Sequence, residues 1–194
     1  MWKLKSAKME LFELKNRRLL LDTNVLNKAL TSGTNSALHK QFLELALNNE
    51  LNICDTVYYE FLRNCNISKY RDRVRKLDDI RPAINTIRDN QDFFYTTWCL
   101  YLYALKNDPK KFLSIDLQDI HIASCAIEKR IDAVLTENYR DFPSEVFSKT
   151  TLMVTSDLNV YLMEFDRPKA KLLWRELTDN DYKFELNVIS FKNT

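Results

Sequence analysis

Apolar and polar positions along this chain follow two periods, one near 2 and one near 3.6 residues, and they alternate in blocks. The run LLL at positions 19–21 passes straight into Asp22, Thr23 and Asn24. A short unbroken apolar run ending in polar residues reads as a strand buried on both faces of a parallel sheet. VLNKAL continues as a helix, and TSGTNS around Gly33 reads as a turn. Ser36 can cap ALHKQFLELALNN, a helix with Leu38, Phe42, Leu45 and Ala46 on one stripe. LNIC reads as a second strand, and Asp55 or Thr56 opens the helix TVYYEFLRN.

SKYRDRVRKLDDI predicts another helix, stopped by Pro82, and QDFFYTTWCLYLYALKN a longer one with Phe93, Phe94, Trp98, Leu102 and Leu105 as core or dimer seam. A helix from Asp116 or Asp119 runs through IHIASCAIEKR, followed by the strands DAVLT and TLMVT. The tail predicts one or two helices around positions 161–177, and YKFELNVISF alternates as an edge strand would. Strands alternating with helices predict a three-layer α/β/α sandwich with a mainly parallel central sheet. Three parts are expected: a basic N-terminal segment over residues 1–16, a main domain over 17–156, and a C-terminal extension over 157–194 packed on it.

Composition narrows the chemistry. The chain has 194 residues and one glycine, so GxGxxG, GxxxxGK[ST] and GxSxG sites are excluded. Phosphate chemistry, if present, must work without a glycine-rich backbone cradle. Cys54, Cys65, Cys99 and Cys125 form no CxxC pair and fit no zinc or disulfide framework, as expected of thiols in a reducing cytoplasm. The N-terminus lacks the apolar core of a signal peptide. WCLYLYAL, the longest apolar run, is too short for a bilayer, so no membrane contact is expected.

Ligands of open parallel sheets gather beyond the carboxyl ends of the strands. Asp22 ends the first strand there, and Glu60 lies one turn into the helix after the second. Asp116 and Asp119 share a helix face, and Thr136, Glu137, Asn138 and Asp141 follow the third predicted strand. Each alone has an ordinary role, as a helix cap, a solvated helix residue or a turn residue. Together they deliver carboxylates to one sheet edge. Crowded carboxylates stay ionised only beside cations, and oxygen-only sets suit Mg²⁺ or Mn²⁺. Such ions activate water and stabilise phosphoryl displacement without glycine. Neither His39 nor His121 is needed as a base, and His121 is expected to pack rather than react.

LLLDTNVL, TVYYEFLRN, DIHIASCAI and AVLTENYRDF, in this order, resemble the successive motifs of the PIN-domain nucleases. The resemblance covers about Leu19 to Phe142. It implies a PIN-like fold and metal-dependent endonucleolytic hydrolysis of RNA, with Asp22, Glu60 and Asp119 as the acidic triad. Asp141 and Asn138 fall on the variable fourth position, where Asn138 replaces an aspartate. Thr23, Asn24 and Thr136 match supporting polar residues, and Asp116 is an additional acid one turn before Asp119. The resemblance also implies a VapC-type toxin with an antitoxin protein as partner, although the two terminal segments make this chain longer than such toxins.

Taking Asp22, Glu60, Asp119 and Asp141 as a metal-holding set changes the charge picture. Without those four negative charges the chain carries +6 rather than +2, as befits a binder of RNA. Arg63, Arg71, Arg73 and Arg75 are the expected phosphate contacts, and Tyr58, Tyr59 and Tyr139 are candidates for stacking on bases or, equally, for core or interface positions. A non-catalytic PIN-like scaffold binding RNA or protein is the competing reading. The intact Asp22, Glu60 and Asp119 weigh against it.

Overall fold

The computed structural model describes residues 9–10, 14–31, 37–63, 66–107, 116–144, 146–155, 158–169 and 171–172. Gly33, Ser36, Cys65, Lys110, Lys111 and the YKFELNVISF segment lie outside the described residues, as do the side chains of Leu38 and Leu105. In chain order the elements are β1 (Met9–Glu10), β2 (Arg18–Leu21), α1 (Thr23–Thr31), α2 (Ala37–Asn48), β3 (Glu50–Cys54), α3 (Asp55–Leu62) and α4 (Ile67–Ile80). There follow β4 (Ile84–Ile87), α5 (Gln91–Asn107), α6 (Leu117–Glu128), β5 (Ala133–Thr136), β6 (Phe147–Thr155) and β7 (Leu158–Phe165). Pro82 lies in a 3₁₀ turn, Arg81–Ala83, between α4 and β4.

The strands form one sheet in the order β1-β6-β7-β5-β2-β3-β4. The half containing β5, β2, β3 and β4 is wholly parallel, with Leu20 paired to Val134 on one side and to Asn52 on the other. β7 runs antiparallel to both β5 and β6, while β1 pairs parallel with β6. Leu19, Leu20 and Leu21 have no exposed surface, and neither have Ala133, Val134, Leu135 and Thr136. Successive strand residues point to opposite faces. Burial of consecutive residues therefore means that both faces are covered, which is the three-layer architecture the sequence predicts. Each buried leucine contributes roughly 1.5–3 kcal/mol relative to an exposed one.

Three parts of the sheet depart from the sequence expectation. Tyr161 lies in β7, not in a helix. LNVYLMEF carries Val160, Leu162 and Met163 to buried positions, so two-sided burial hides the strand alternation. Pairing with β5 and β6 then overrides the helix preference of Leu, Met and Glu. β4 was not expected, because INTI is only four residues long and its Asn85 and Thr86 are exposed. Met9 and Glu10, within the basic N-terminal segment, add an outer strand.

Candidate active site

The chain leaves β2 for β3 on one side of the sheet, and β5 later fills the other side. The crevice between β2 and β5 is thus a topological switch point, where open α/β sheets receive ligands. Asp22 follows β2 immediately, and its N–H donates to Leu135 O at 3.0 Å. Its carbonyl accepts the first bond of α1, from Leu26 N. The Asp22 side chain is almost wholly buried, 2% exposed. Oδ1 accepts from Thr23 N at 2.6 Å, while Oδ2 accepts from Asn24 Nδ2 at 2.6 Å and from Thr136 Oγ1 at 2.5 Å.

The supporting residues hold one another. Asn24 Oδ1 accepts from Glu137 N at 3.0 Å, and Thr136 Oγ1 accepts from Asn138 N at 2.9 Å. Thr23 Oγ1 donates to Glu60 Oε2 at 2.5 Å, joining the second acid to the first through one residue. Glu60 sits on α3, and its other oxygen, Oε1, faces Arg63 Nη2 at 3.2 Å. Asn138 Nδ2 donates to Asp141 Oδ2 in the short 3₁₀ turn after β5.

Burial raises the Asp22 pKa to about 6, and the charge of Glu60 adds to this against the lowering by Thr136, Thr23 and Asn24. Asp119, in the first turn of α6, is raised to about 8. Burial is the first cause; the charges of Asp22 and Asp141, a hydrogen bond with Asp141 and the charge of Asp116 follow. The structure therefore brings Asp22, Glu60, Asp119 and Asp141 into one electrostatic neighbourhood. Asp116 is the N-cap of α6, accepting from Gln118 N at 3.0 Å.

The predicted arginines have local partners. Arg63 is paired with Glu60, and Arg75 with Asp72 at 3.0 Å. Arg73 donates to the carbonyls of Phe61 and Arg63, closing the end of α3, and lies over the Phe61 ring. Arg71 is exposed on α4. His121 is buried between Thr97, which meets Nδ1 at 2.9 Å, and Asp89, 3.2 Å from Nε2. That is a packing role. Phe93 is buried, whereas Phe94 is exposed and lies against His121.

Two cavities flank the acids. One of about 390 Å³ includes Tyr59, Glu60, Arg63, Phe94, Leu117 and His121 in its lining. The other, about 660 Å³, includes Asn138, Tyr139, Arg140, Asp141, Lys149 and Met163. Sequence reasoning missed the second cavity, because Lys149 comes from β6 and reaches Tyr139 only through the antiparallel β6–β7 pairing.

Residues 19–144 match the family described as PIN domain. The chain belongs to the PIN domain family. PIN domains are in general nucleases that use divalent metal ions. No curated protein matches the sequence. Among solved structures, VapBC2 from Rickettsia felis, bound to a DNA fragment from its promoter, superposes with a TM-score of 0.50 at 22% identity. The match covers 64% of this chain and 92% of that one, and at this identity it supports the PIN fold.

Asp22, Glu60, Asp119 and Asp141 offer oxygen donors, the type that suits hard divalent cations, and burial together with neighbouring carboxylate charge raises Asp22 and Asp119. As placed, no three His, Cys, Asp or Glu side chains among the described residues stand close enough together to hold an ion. Among the described residues, no helix is long and apolar enough to cross a membrane.

Proposed function

We propose that this PIN domain is a metal-dependent endoribonuclease whose site is Asp22, Glu60, Asp119 and Asp141. The observation that carries the reading is the buried Asp22 at the sheet's switch point, fixed by three donors and within electrostatic reach of Glu60 and Asp119 from two other segments. Mg²⁺ or Mn²⁺ would be held among these carboxylates, drawing their side chains closer together than they are placed. A bound divalent cation supplies activated water and neutralises charge developing on the phosphodiester.

The protein's own residues prepare the site. Thr136, Thr23 and Asn24 fix both oxygens of Asp22 before substrate arrives, so little reorganisation is needed. Thr23 orients Glu60 through the same backbone turn. The Asp119–Asp141 hydrogen bond needs a proton between two carboxyls, and the raised Asp119 pKa keeps that proton near neutrality. Cation binding would displace it. In a toxin–antitoxin pair, the cavity beside Glu60, with exposed Tyr59, Phe94 and Leu117, is where an antitoxin segment would reach the acids.

The test is cleavage of labelled single-stranded RNA and DNA with Mg²⁺, Mn²⁺ or EDTA. Asp22→Asn and Asp119→Asn should each lower RNA cleavage at least about 100-fold, comparable to losing a main electrostatic contributor. Cleavage that persists in EDTA or in Asp22→Asn overturns the mechanism, and preferential cutting of DNA overturns the substrate. Growth arrest on induced expression, absent for Asp22→Asn, is expected of a toxin.

A further inference from the structure

Lys149 Nζ stands 3.6 Å from the centre of the Tyr139 ring, and the Arg140 guanidinium carbon 5.9 Å from the same centre. Both cations also interact with the Tyr139 hydroxyl, Arg140 the more strongly. Tyr161 packs against the Tyr139 ring at 4.5 Å, fixing it in place. Tyr139 is therefore engaged by Lys149 and Tyr161, which makes it a holder of cations rather than a free stacking platform. Its ring quadrupole attracts both charges to one place despite their mutual repulsion.

Neither Arg140 nor Lys149 forms an ion pair with a carboxylate among the described residues, whereas Arg63 and Arg75 both do. Both line the cavity of about 660 Å³, whose lining also includes Asn138 and Asp141 of the acidic site. Two exposed cations held together, with the charge of Asp141 near Arg140 but no ion pair to either, make a place for an anion. The anion must fit next to a site for phosphodiesters. We propose that Arg140 and Lys149, held by Tyr139, bind a backbone phosphate of single-stranded RNA flanking the one presented to the acids. This inference rests on the reading of the chain as an RNA nuclease. It moves the main phosphate contact from the α4 arginines to the β5–β6 side of the acids.

The test uses the full chain and a fluorescent ten-nucleotide single-stranded RNA, with binding measured in EDTA across a salt series. Arg140→Met and Lys149→Met should each weaken binding about 3- to 10-fold at low salt. Each should also reduce the slope of log affinity against log salt, and the double variant should reduce it by about 0.7, the value for one phosphate contact on a single strand. Arg71→Met, on α4, should change neither by more than about half as much. Thermal unfolding of each variant separates lost contact from lost fold. With Mg²⁺ or Mn²⁺, KM for a long RNA should rise while kcat stays within about twofold.

Unchanged affinity and slope in both variants, with wild-type cleavage intact, overturns the subsite and leaves the nuclease reading standing. Normal binding that depends on Arg140 and Lys149, without any cleavage by wild type, overturns the nuclease reading and retains the subsite. Wild type that does not bind RNA overturns both. Loss of binding to an acidic partner peptide, with RNA binding unaltered, overturns the subsite in favour of a protein contact.

Discussion

A carboxylate that accepts three hydrogen bonds would ordinarily be strongly acidic, yet the Asp22 pKa is raised to about 6 because burial outweighs Thr136, Thr23 and Asn24. Asp119, raised to about 8, adds repulsion from its neighbours to its own burial. Both folded-state values lie above the ordinary 3.8. The folded chain thus keeps protons that the unfolded chain releases. The stability these protons confer is complete below about pH 4 and is lost as pH rises through about 6 and about 8. In EDTA, Asp119→Asn removes the later part of that loss. It should melt about 3 °C or more above wild type at pH 8.5 and within about 1 °C of it at pH 4, from the usual conversion of stability to melting temperature. A difference independent of pH sinks the electrostatic account. Addition of Mn²⁺ should narrow the gap at high pH by stabilising wild type alone. As candidates these acids could be read from the sequence, because Asp22, Asp119 and Asp141 lie at or beside the ends of elements and Glu60 lies in the helix that follows β3. Their crowding could not, because it depends on how β2, α3, α6 and the turn after β5 meet.

Among elements, unbroken apolar runs and single clear periods were legible, and a strand showing neither was not. β2 and β3 announce themselves as apolar runs and α4 as the helix SKYRDRVRKLDDI, which the structure caps with Asn66, accepting from Lys69 N at 3.0 Å. β7 hides because Leu162 and Met163 are both buried, so no alternation shows. Scarce glycine has a local cost here. α6 ends with Lys129 N and Ile131 N donating to Cys125 O and Ala126 O, and Arg130 occupies the left-handed turn at φ 53°. Asn16, at φ 56°, tolerates that region through its short polar side chain, whereas arginine gains nothing there. Glycine is the usual residue just past a helix end. Arg130→Gly should therefore stabilise the protein by about 1 kcal/mol, raising the melting temperature by about 2–4 °C. Arg130→Ala, which keeps the Cβ clash, should give no gain. A neutral or destabilising glycine shows that Arg130 has a compensating contact.

At the scale of the molecule, the sheet joins two halves of different character. The parallel half, β5-β2-β3-β4, carries Asp22, Glu60 and Thr136 at or just beyond its carboxyl edge. The other half, β1-β6-β7, carries Lys149, and among the described residues its strands are hydrogen-bonded to the first half through β7. A boundary after residue 156, natural from the sequence motifs, would cut between β6 and β7. Removing β7 exposes the β5 edge, because Tyr161 and Leu162, the partners of Thr136 and Leu135, go with it. It also leaves β6 and β1 without their link to the sheet. The loss includes the fully buried Leu162 and the nearly buried Val160 and Met163. Three such side chains at about 2–5 kcal/mol each are comparable to the whole stability of a typical domain, about 5–15 kcal/mol. A chain ending at residue 156 should therefore lose cooperative thermal unfolding and bind a hydrophobic dye, although every PIN motif from Leu19 to Phe142 remains in it. Leu162→Ala should soften the fold in the same direction while leaving it cooperative, with a melting temperature lower by about 4–15 °C. Both are read by near-ultraviolet circular dichroism and amide exchange at β5. A truncated chain that melts cooperatively and still cleaves RNA would show that the parallel half is a domain by itself, with β7 only a cover along its edge.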